Sequence, residues 1–312
     1  MILIRNLKDL PEIPGSVVTD GMFDGVHLGH RQILQQVVNR SREMQLPSVL
    51  LTYWPHPRHV LAGRDAKVSL LTSLEEKAEL IADQGIDYMV VVPFTLDFSQ
   101  MSHGRFVEEI LVNGLNVRHL IVGYDHRFGQ NRLGNIYSLK ASGANFGFQI
   151  TEIGKQEVEA IAVSSTKIRQ ALEHFQPETA RQFLGRPYSI RGRVVKGDKR
   201  GRTIGFPTAN LQADEPDKLI PANGVYASRC RIDGVWLDAM TNIGFRPTVD
   251  GSRHAIEAHI FDFSDDLYGK SIDIAFYSAL RREEKFEGLE ALTAQLRMDR
   301  DNSRRILLNE DR

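Results

Sequence analysis

The sequence has almost no cysteine, almost no net charge and no long apolar run. Cys230 is the one cysteine among 312 residues, so it forms no internal disulfide, and the chain has no CxxC pair to indicate zinc. We expect Cys230 to be a small buried strand residue. No segment reaches the roughly 18 apolar residues of a membrane span. The N-terminus also lacks a signal-peptide pattern, and we expect a cytoplasmic protein.

The charge balance excludes two classes of partner. There are 39 basic and 40 acidic side chains, for a formal net charge of −1. No overall field draws the protein to nucleic acid or to an anionic membrane. The hydrophobic and charged fractions, 42% and 25%, are ordinary for a globular protein. A chain of this length is long for a single core, which favours two domains.

The first half of the chain alternates short apolar strands with helical patterns. The predicted strands are residues 16–20, 49–53, 88–92 and 120–123. Helical patterns between them include an apolar face of Ile33, Leu34, Val37 and Val38 and the segments 74–83 and 106–112. This rhythm predicts a parallel sheet that helices cover on both faces. Ligands of such sheets bind at the carboxyl ends of the strands.

The second half has closely spaced strands instead. They are predicted at residues 189–195, 224–232, 235–242, 254–261 and 271–276. The turn dipeptides Asp233-Gly234 and Asp250-Gly251 favour hairpins, and the pattern predicts an antiparallel barrel. A final helical pattern over residues 289–308 packs either on the barrel or on a neighbouring molecule. We place the domain boundary at residue 184, which gives domains 1–184 and 185–312.

A loop with three glycines and two histidines follows the first predicted strand. It reads GMFDGVHLGH, residues 21–30, and we call it the histidine loop. Glycines let the backbone approach a ligand closely, and a helix start suits phosphate. His27 and His30 share one face if the turn is helical, where they can stabilise charge on phosphate oxygens. Such a loop alone is weak evidence, but its place after the first strand of an α/β domain strengthens it.

A second phosphate-ready helix start is predicted at SSTKIR, residues 164–169. Ser164 or Ser165 can cap a helix here. A plain cap is the simpler alternative. The hydroxyl and cationic side chains that follow favour phosphate, and Arg169 is suited to clamp a pyrophosphate leaving group.

The second half carries a basic loop (residues 196–205) followed by PTAN, residues 207–210. Glycine-spaced cations suit a polyphosphate, although a solvated hairpin tip has a similar composition. In a strand, Thr208 and Asn210 point to one side and offer the oxygen ligands that Mg²⁺ accepts. Glu257 lies between apolar neighbours on a predicted strand. It is either an exposed strand residue or a base for an attacking hydroxyl.

The first half resembles the HxGH nucleotidyltransferases and, more closely, the N-terminal module of bacterial bifunctional riboflavin kinase/FAD synthetases. Four family segments occur in order: residues 21–30, 55–58, 123–129 and 164–169. The resemblance implies a Rossmann-like α/β domain that transfers an adenylyl group from ATP to FMN and releases pyrophosphate. It implies that His27, His30 and Arg169 act on the phosphates. The ATP-site residues it implies are Gly21, Phe23, Asp24, Gly25, His27, His30, Asp125, Ser165, Thr166 and Arg169.

Three positions depart from that family's pattern. His126 stands where the family often has an aromatic residue, Trp54 where it often has an acidic one, and Leu70 where it often has arginine. The departures concern the flavin and nucleotide contacts and leave the phosphate-handling residues in place.

The second half resembles riboflavin kinase. Besides PTAN and Glu257 it has NGVYA, residues 223–227, NIG, residues 242–244, and YGK, residues 268–270. The resemblance implies a Greek-key barrel that transfers the γ-phosphate of ATP to riboflavin, with Glu257 as the base. It implies a Mg²⁺ site at Thr208 and Asn210. The ATP-binding residues it implies are Gly197, Lys199, Gly201, Gly205, Thr208 and Asn210.

The leading hypothesis is therefore an enzyme that converts riboflavin to FMN and FMN to FAD, with riboflavin, FMN and ATP as partners and Mg²⁺ as cofactor. A nucleotidyltransferase for another phosphate ester with an accessory barrel is the second hypothesis, and a flavin or nucleotide sensor that regulates transcription is the third. The near-zero charge weighs against the sensor. We expect no nucleic-acid or membrane partner, and a weak or transient homo-oligomer is compatible with the sequence.

Overall fold

The protein forms two compact units, Met1–Ser164 and Ser165–Arg312. The structure is a computed structural model. The residues that it describes are 1–63, 68–124, 126–154, 163–197, 200–248 and 251–310. Each unit has its own sheet, so each is described by itself.

The first unit contains a parallel sheet, as predicted, and the sheet has six strands. Its strands are β1 (Ile2–Ile4), β2 (Ser16–Asp20), β3 (Ser48–Trp54), β4 (Tyr88–Pro93), β5 (Val117–Gly123) and β6 (Gln149–Ile153). The strand order is β1-β4-β3-β2-β5-β6, and all the pairs are parallel. The sequence pattern missed β1 and β6. Both are edge strands: β1 has only three residues, although all three are apolar, and β6 is only partly buried.

Helices and turns connect these strands. The helices are α1 (Leu28–Met44), α2 (Pro57–Ala62), α3 (Leu74–Ala82), α4 (Leu96–Ser99), α5 (His103–Arg105) and α6 (Ile136–Phe146). The segment predicted as helical at residues 106–112 is a π-helix that continues α5. Alternate residues of the strands belong to two different apolar clusters. Val18 and Leu51 belong to one cluster, whereas Val17 and Leu50 belong to the other. The sheet is therefore buried on both faces, as predicted.

The second unit begins with two helices and continues as a barrel. Its elements are α7 (Ser165–Glu173), α8 (Pro177–Leu184), β7 (Tyr188–Val195), α9 (Arg200–Thr203), β8 (Ala209–Ala213), β9 (Gly224–Ile232), β10 (Val235–Thr248), β11 (Gly251–Ile260), β12 (Ser271–Arg281) and α10 (Leu289–Glu310). The strands close in the order β10-β11-β8-β7-β12-β9, with antiparallel pairs throughout. Since β8 lies beside β11 but connects along the chain to β9, the barrel has Greek-key connectivity.

The hairpin between β9 and β10 has the predicted turn. Asp233 and Gly234 have φ of 49° and 87°, the left-handed pair that a two-residue hairpin turn needs. The second predicted turn dipeptide includes Asp250, which lies outside the described residues.

The two helices before the barrel pack against it. In α8, the Glu178 carboxylate accepts hydrogen bonds from the Ser278 hydroxyl and, at 2.8 Å, from the Ala279 N–H. The Phe175 ring, between α7 and α8, lies 5.0 Å from the ring of Tyr226. The compact units thus divide at residue 164, earlier than the change of strand rhythm at 184. The functional boundary at 184 stays a prediction.

The last helix packs on the barrel, which resolves the alternative left open by the sequence. The guanidinium of Arg281 on β12 donates to Asp299 of α10 at 2.8–3.1 Å. Arg229 of β9 donates to the Leu307 carbonyl at 3.1 Å. At 22 residues α10 is a long helix, yet no helix in the described ranges is long and apolar enough to cross a membrane.

The buried ion pair between Arg281 and Asp299 yields a stability prediction. Only 2% of the Asp299 side chain is exposed. Asp299→Ala leaves the arginine buried without its carboxylate, so we expect the free energy of unfolding to fall by about 3 kcal/mol in urea denaturation. Asp301→Ala is the matched control on the same helix, because the Arg300–Asp301 pair is exposed and its loss should cost at most about 1 kcal/mol. Equal losses would contradict the prediction.

Candidate functional site

The histidine loop turns tightly between β2 and α1. Phe23, Gly25 and Val26 all have positive φ, at 47°, 84° and 39°. Left-handed backbone at two non-glycine residues is costly and persists only where surrounding contacts enforce it. Gly21 lies against the Phe23 ring, which an added Cβ would approach at 3.0 Å. These backbone angles and contacts therefore hold the loop in one compact conformation where it enters α1.

His27 and His30 are brought together at the start of α1. His27 is the N-cap, and its Nδ1 accepts the His30 N–H at 3.2 Å. The two rings stack with centroids 3.5 Å apart, and Phe23 lies 4.8 Å from His30. The shared face is as expected, and α1 begins one residue after His27. Because Nδ1 of His27 accepts this bond, a neutral imidazole at this position carries its proton on Nε2.

Asp24 attaches the loop to the start of α3. Its buried carboxylate accepts the N–H groups of Leu71 and Thr72, each at 3.0 Å, and the Thr72 hydroxyl at 3.2 Å. Thr72 in turn accepts the Gly25 N–H at 3.1 Å. The resemblance placed Asp24 among the ATP-contacting residues. That contact stays a prediction, and in the structure the carboxylate accepts hydrogen bonds from backbone amides that position the loop.

Lys77 is a charged group buried close to this attachment. It lies on α3 and is only 1% exposed. Burial lowers the pKa of Lys77 to about 8, and the nearby Asp24 carboxylate partly opposes that shift. The sequence analysis did not identify this lysine, because LEEKAEL looks like an ordinary solvated helix.

The lowered pKa of Lys77 predicts how stability varies with pH. As the pH rises from 8 to 10 the folded protein loses the Lys77 proton, whereas the unfolded chain, with a pKa near 10.5, largely keeps it. The wild type should therefore gain about 2 kcal/mol of unfolding free energy relative to Lys77→Met over that range. Lys140→Met, at an exposed lysine of the same unit, should follow the wild type. A constant difference between wild type and Lys77→Met would contradict the prediction.

The three residues that depart from the family pattern lie in different surroundings. Leu70 is 3% exposed and belongs to the interior. Trp54 packs against the core cluster on the α1 side of the sheet. The Nε2 atom of His126 lies 3.4 Å from the Asp20 carboxylate at the end of β2. The candidate Asp125 lies outside the described residues.

The SSTKIR segment forms the start of α7, as predicted. The helix runs from Ser165 to Glu173 and buries Ile168, Ala171 and Leu172. Ser165 and Arg169 are half-buried, and Thr166 is exposed. The expected contact of Ser165, Thr166 and Arg169 with ATP phosphates stays a prediction.

The second unit brings the three predicted kinase residues together on the barrel. The Thr208 hydroxyl donates to Glu257 at 3.2 Å. Asn210 on β8 lies directly opposite Glu257 on β11, so their side chains share one face. Thr208 precedes β8 instead of lying within it, but the convergence expected from the sequence holds. All three side chains are half-buried.

Glycines of the basic loop pack closely on neighbouring atoms of this unit. A Cβ at Gly197 would overlap the side-chain amide of Asn210, and one at Gly201 would overlap the Phe206 carbonyl. Gly205 has a φ of 81°, which glycine adopts without steric cost. These three positions therefore need glycine for close approach or for backbone conformation. Lys199 lies outside the described residues.

Two further groups lie near Glu257: the first belongs to the NIG segment already noted in the sequence, and the second, a histidine, was missed by sequence reasoning. Asn242 on β10 is the other cross-strand partner of Glu257. The Nδ1 atom of His259 lies 2.8 Å from the Pro207 carbonyl, which fastens the PTAN segment to β11. Burial lowers the pKa of His259, and the Pro207 carbonyl opposes that shift. His259 could have been identified from its position two residues after Glu257, because that spacing places both side chains on one face of a strand.

The oxygen donors of this cluster suit a hard cation. Thr208, Asn210 and Glu257 offer a hydroxyl, an amide oxygen and a carboxylate. Mg²⁺ takes few protein ligands and completes its shell with phosphate oxygens and water. The residues that the structure describes contain no group of three or more His, Cys, Asp or Glu side chains that could hold a metal ion.

Known proteins resemble this chain along nearly its whole length. The bifunctional riboflavin kinase/FMN adenylyltransferase of Listeria monocytogenes is 42% identical over 289 residues, which cover 92% of this chain and 91% of that protein. The protein of the same name from Escherichia coli K12 is 39% identical over 302 residues, with 96% of both chains covered. A crystal structure of a macrolide-efflux protein from Streptococcus pneumoniae has a TM-score of 0.87 at 29% identity, covering 97% of this chain and 98% of that one.

The two units also match separate family models. The model for FAD synthetase matches residues 10–167, and the model for riboflavin kinase matches residues 184–307. The fold and the two clusters thus define a two-module transferase with a Rossmann-like domain ahead of a flavokinase barrel. The kinase match rules out a merely accessory barrel. The chain belongs to the bifunctional riboflavin kinase/FMN adenylyltransferase family.

Proposed function

We propose that the two modules act in succession on one flavin. As a member of its family, the chain is a riboflavin kinase and an FMN adenylyltransferase. The kinase module, residues 185–312, forms FMN from riboflavin and ATP. The adenylyltransferase module, residues 1–184, forms FAD and pyrophosphate from FMN and ATP. Because both steps consume ATP, we place the enzyme in the cytoplasm.

The kinase step rests on the hydrogen bond between Thr208 and Glu257. Glu257 accepts the proton of the ribityl 5′-hydroxyl, whose oxygen then attacks the γ-phosphorus of ATP, and ADP leaves. The glycine-spaced backbone of the basic loop, with Gly197, Gly201 and Gly205, allows close approach to the polyphosphate, and Lys199 adds a cation.

Mg²⁺ belongs to this step in our proposal. Thr208 and Asn210 would hold it beside the ATP phosphates, where the ion neutralises charge on the transferred group. The arrangement of a hydroxyl, an amide and a carboxylate on one face of the barrel supports that assignment.

Replacement of Glu257 should separate the two activities. Glu257→Ala removes the base, so FMN formation should fall by about 10²-fold or more, while FAD formation from supplied FMN is unchanged. The measurement is chromatographic separation of flavins after incubation with ATP and Mg²⁺. Glu290→Ala, at an exposed glutamate of the same unit, is the control. Loss of both activities in a folded Glu257→Ala protein would refute the assignment.

The adenylyltransferase step rests on the stacked histidines at the start of α1. A phosphate oxygen of FMN attacks the α-phosphorus of ATP, and the bond to pyrophosphate breaks without a net proton transfer. His27 and His30, together with the helix dipole, stabilise the negative charge on the phosphates. The histidine loop needs no covalent intermediate, since positioning and charge stabilisation suffice.

His30→Ala should have the opposite effect to the kinase variant. The loss of one charge-stabilising group should lower FAD formation from FMN by about 10²-fold, while riboflavin phosphorylation continues and FMN accumulates. Gln35→Ala on the exposed side of α1 is the matched control. If the wild type forms neither FMN nor FAD, the proposed function itself is wrong. If His30→Ala leaves FAD formation intact, only the role of the histidine is wrong.

A further inference from the structure

Three titratable side chains meet at the carboxyl edge of the parallel sheet, outside the phosphate-handling residues. Asp20 ends β2, Tyr53 lies near the end of β3, and His126 follows β5. The Tyr53 hydroxyl donates to Asp20 Oδ1 at 2.7 Å, and His126 Nε2 lies 3.4 Å from Asp20 Oδ2. The two carboxylate oxygens therefore contact different partners from the two neighbouring strands.

The cluster is buried, which makes its partners costly to lose. The side chains of Asp20 and His126 are 3% and 13% exposed. Burial raises the pKa of Asp20, and His126 and Tyr53 oppose that shift. Aromatic rings surround the group: His126 stacks on Phe128 at 5.6 Å, and Tyr53 lies 5.7 Å from Phe98. In such surroundings a carboxylate needs a donor or a cation beside it.

The cluster lies at the point in the sheet where the order of the strands along the chain reverses. From β2 the chain proceeds outward to β3 and β4 on one side, then returns to β5 and β6 on the other. Ligands of open parallel sheets bind in the crevice outside the carboxyl ends of the strands at that point. Asp20 immediately precedes the histidine loop, and His126 belongs to the loop at residues 123–129. The polar contact thus joins the two loops that border the crevice.

We propose that Asp20 and Tyr53 are positioning residues that orient His126 across this crevice, and that His126 contacts the phosphate of FMN. The inference rests on the proposed function, in which the ATP phosphates lie at the start of α1. The second substrate must then reach the α-phosphorus from the adjoining crevice. With Nε2 turned to Asp20, the other ring nitrogen, Nδ1, is the atom left to meet an anionic ligand.

Steady-state kinetics of the full-length enzyme with supplied FMN test the proposal. His126→Phe keeps the ring stacked on Phe128 but removes the nitrogens. We expect the KM for FMN to rise about tenfold, with kcat and the KM for ATP within about twofold of the wild type and riboflavin phosphorylation unchanged. His103→Phe is the matched control, because His103 also contacts Phe128, at 6.5 Å, and should leave every constant unchanged.

A double variant tests whether Asp20 acts through His126. Asp20→Asn keeps a partner for Tyr53 and removes the charge, so the KM for FMN should rise severalfold. Asp20→Asn combined with His126→Phe should be no worse than His126→Phe alone. Additive effects, or an unchanged KM for FMN in His126→Phe, would overturn the proposal. A rise in the KM for ATP alone would assign the cluster to the other substrate and equally overturn it. A wild type that forms no FAD would instead refute the proposed function.

Discussion

The carboxylate of Asp24 holds the histidine loop in a conformation that the loop would not keep by itself. Phe23 and Val26 adopt left-handed backbone, which costs a non-glycine residue about 1–3 kcal/mol. The hydrogen bonds from Leu71 and Thr72 to Asp24 offset that cost. With the loop held there, His27 caps α1 and stacks on His30. The stacked histidines at the start of α1 thus depend on hydrogen bonds to a different part of the chain.

The barrel assembles its site through strand register instead. Asn210 and Glu257 are distant in sequence and become neighbours because β8 pairs with β11. A slip of one residue in that pairing would turn Glu257 to the opposite face of the strand. The His259–Pro207 contact and the close packing of Gly197 on Asn210 maintain the same register. The closed barrel therefore places the reactive oxygens with little dependence on flexible loops.

In the proposed function, the two modules share one physical requirement, which is to concentrate hydrogen-bond donors and oxygen ligands where phosphate charge develops. The Rossmann-like domain uses a helix start and imidazoles, and the barrel uses a basic loop and a strand face. Buried polar groups such as Asp20 and Lys77 accompany the first arrangement. The fold tolerates each of these buried groups because neighbouring polar or charged groups partly offset the free-energy cost of its desolvation.

Much of this protein follows from its sequence alone. The central strands β2 to β5, the face of α1, the hairpin at Asp233-Gly234 and the barrel class were all predicted, because apolar periodicity and turn residues are local signals. The convergence of Thr208, Asn210 and Glu257 was anticipated from family-like segments. The edge strands β1 and β6 were not predicted, since a short or half-exposed strand has little periodicity.

Only the tertiary structure decided how the polar groups pair. It directed Asp24 at the backbone amides of Leu71 and Thr72, buried Lys77 in a helix that looks solvated in sequence, and joined Asp20 to Tyr53 and His126. It also seated α7, α8 and α10 on the barrel. Sequence patterns report which side of a strand or helix is apolar, whereas hydrogen bonds between distant segments depend on distances and angles that only the folded chain defines.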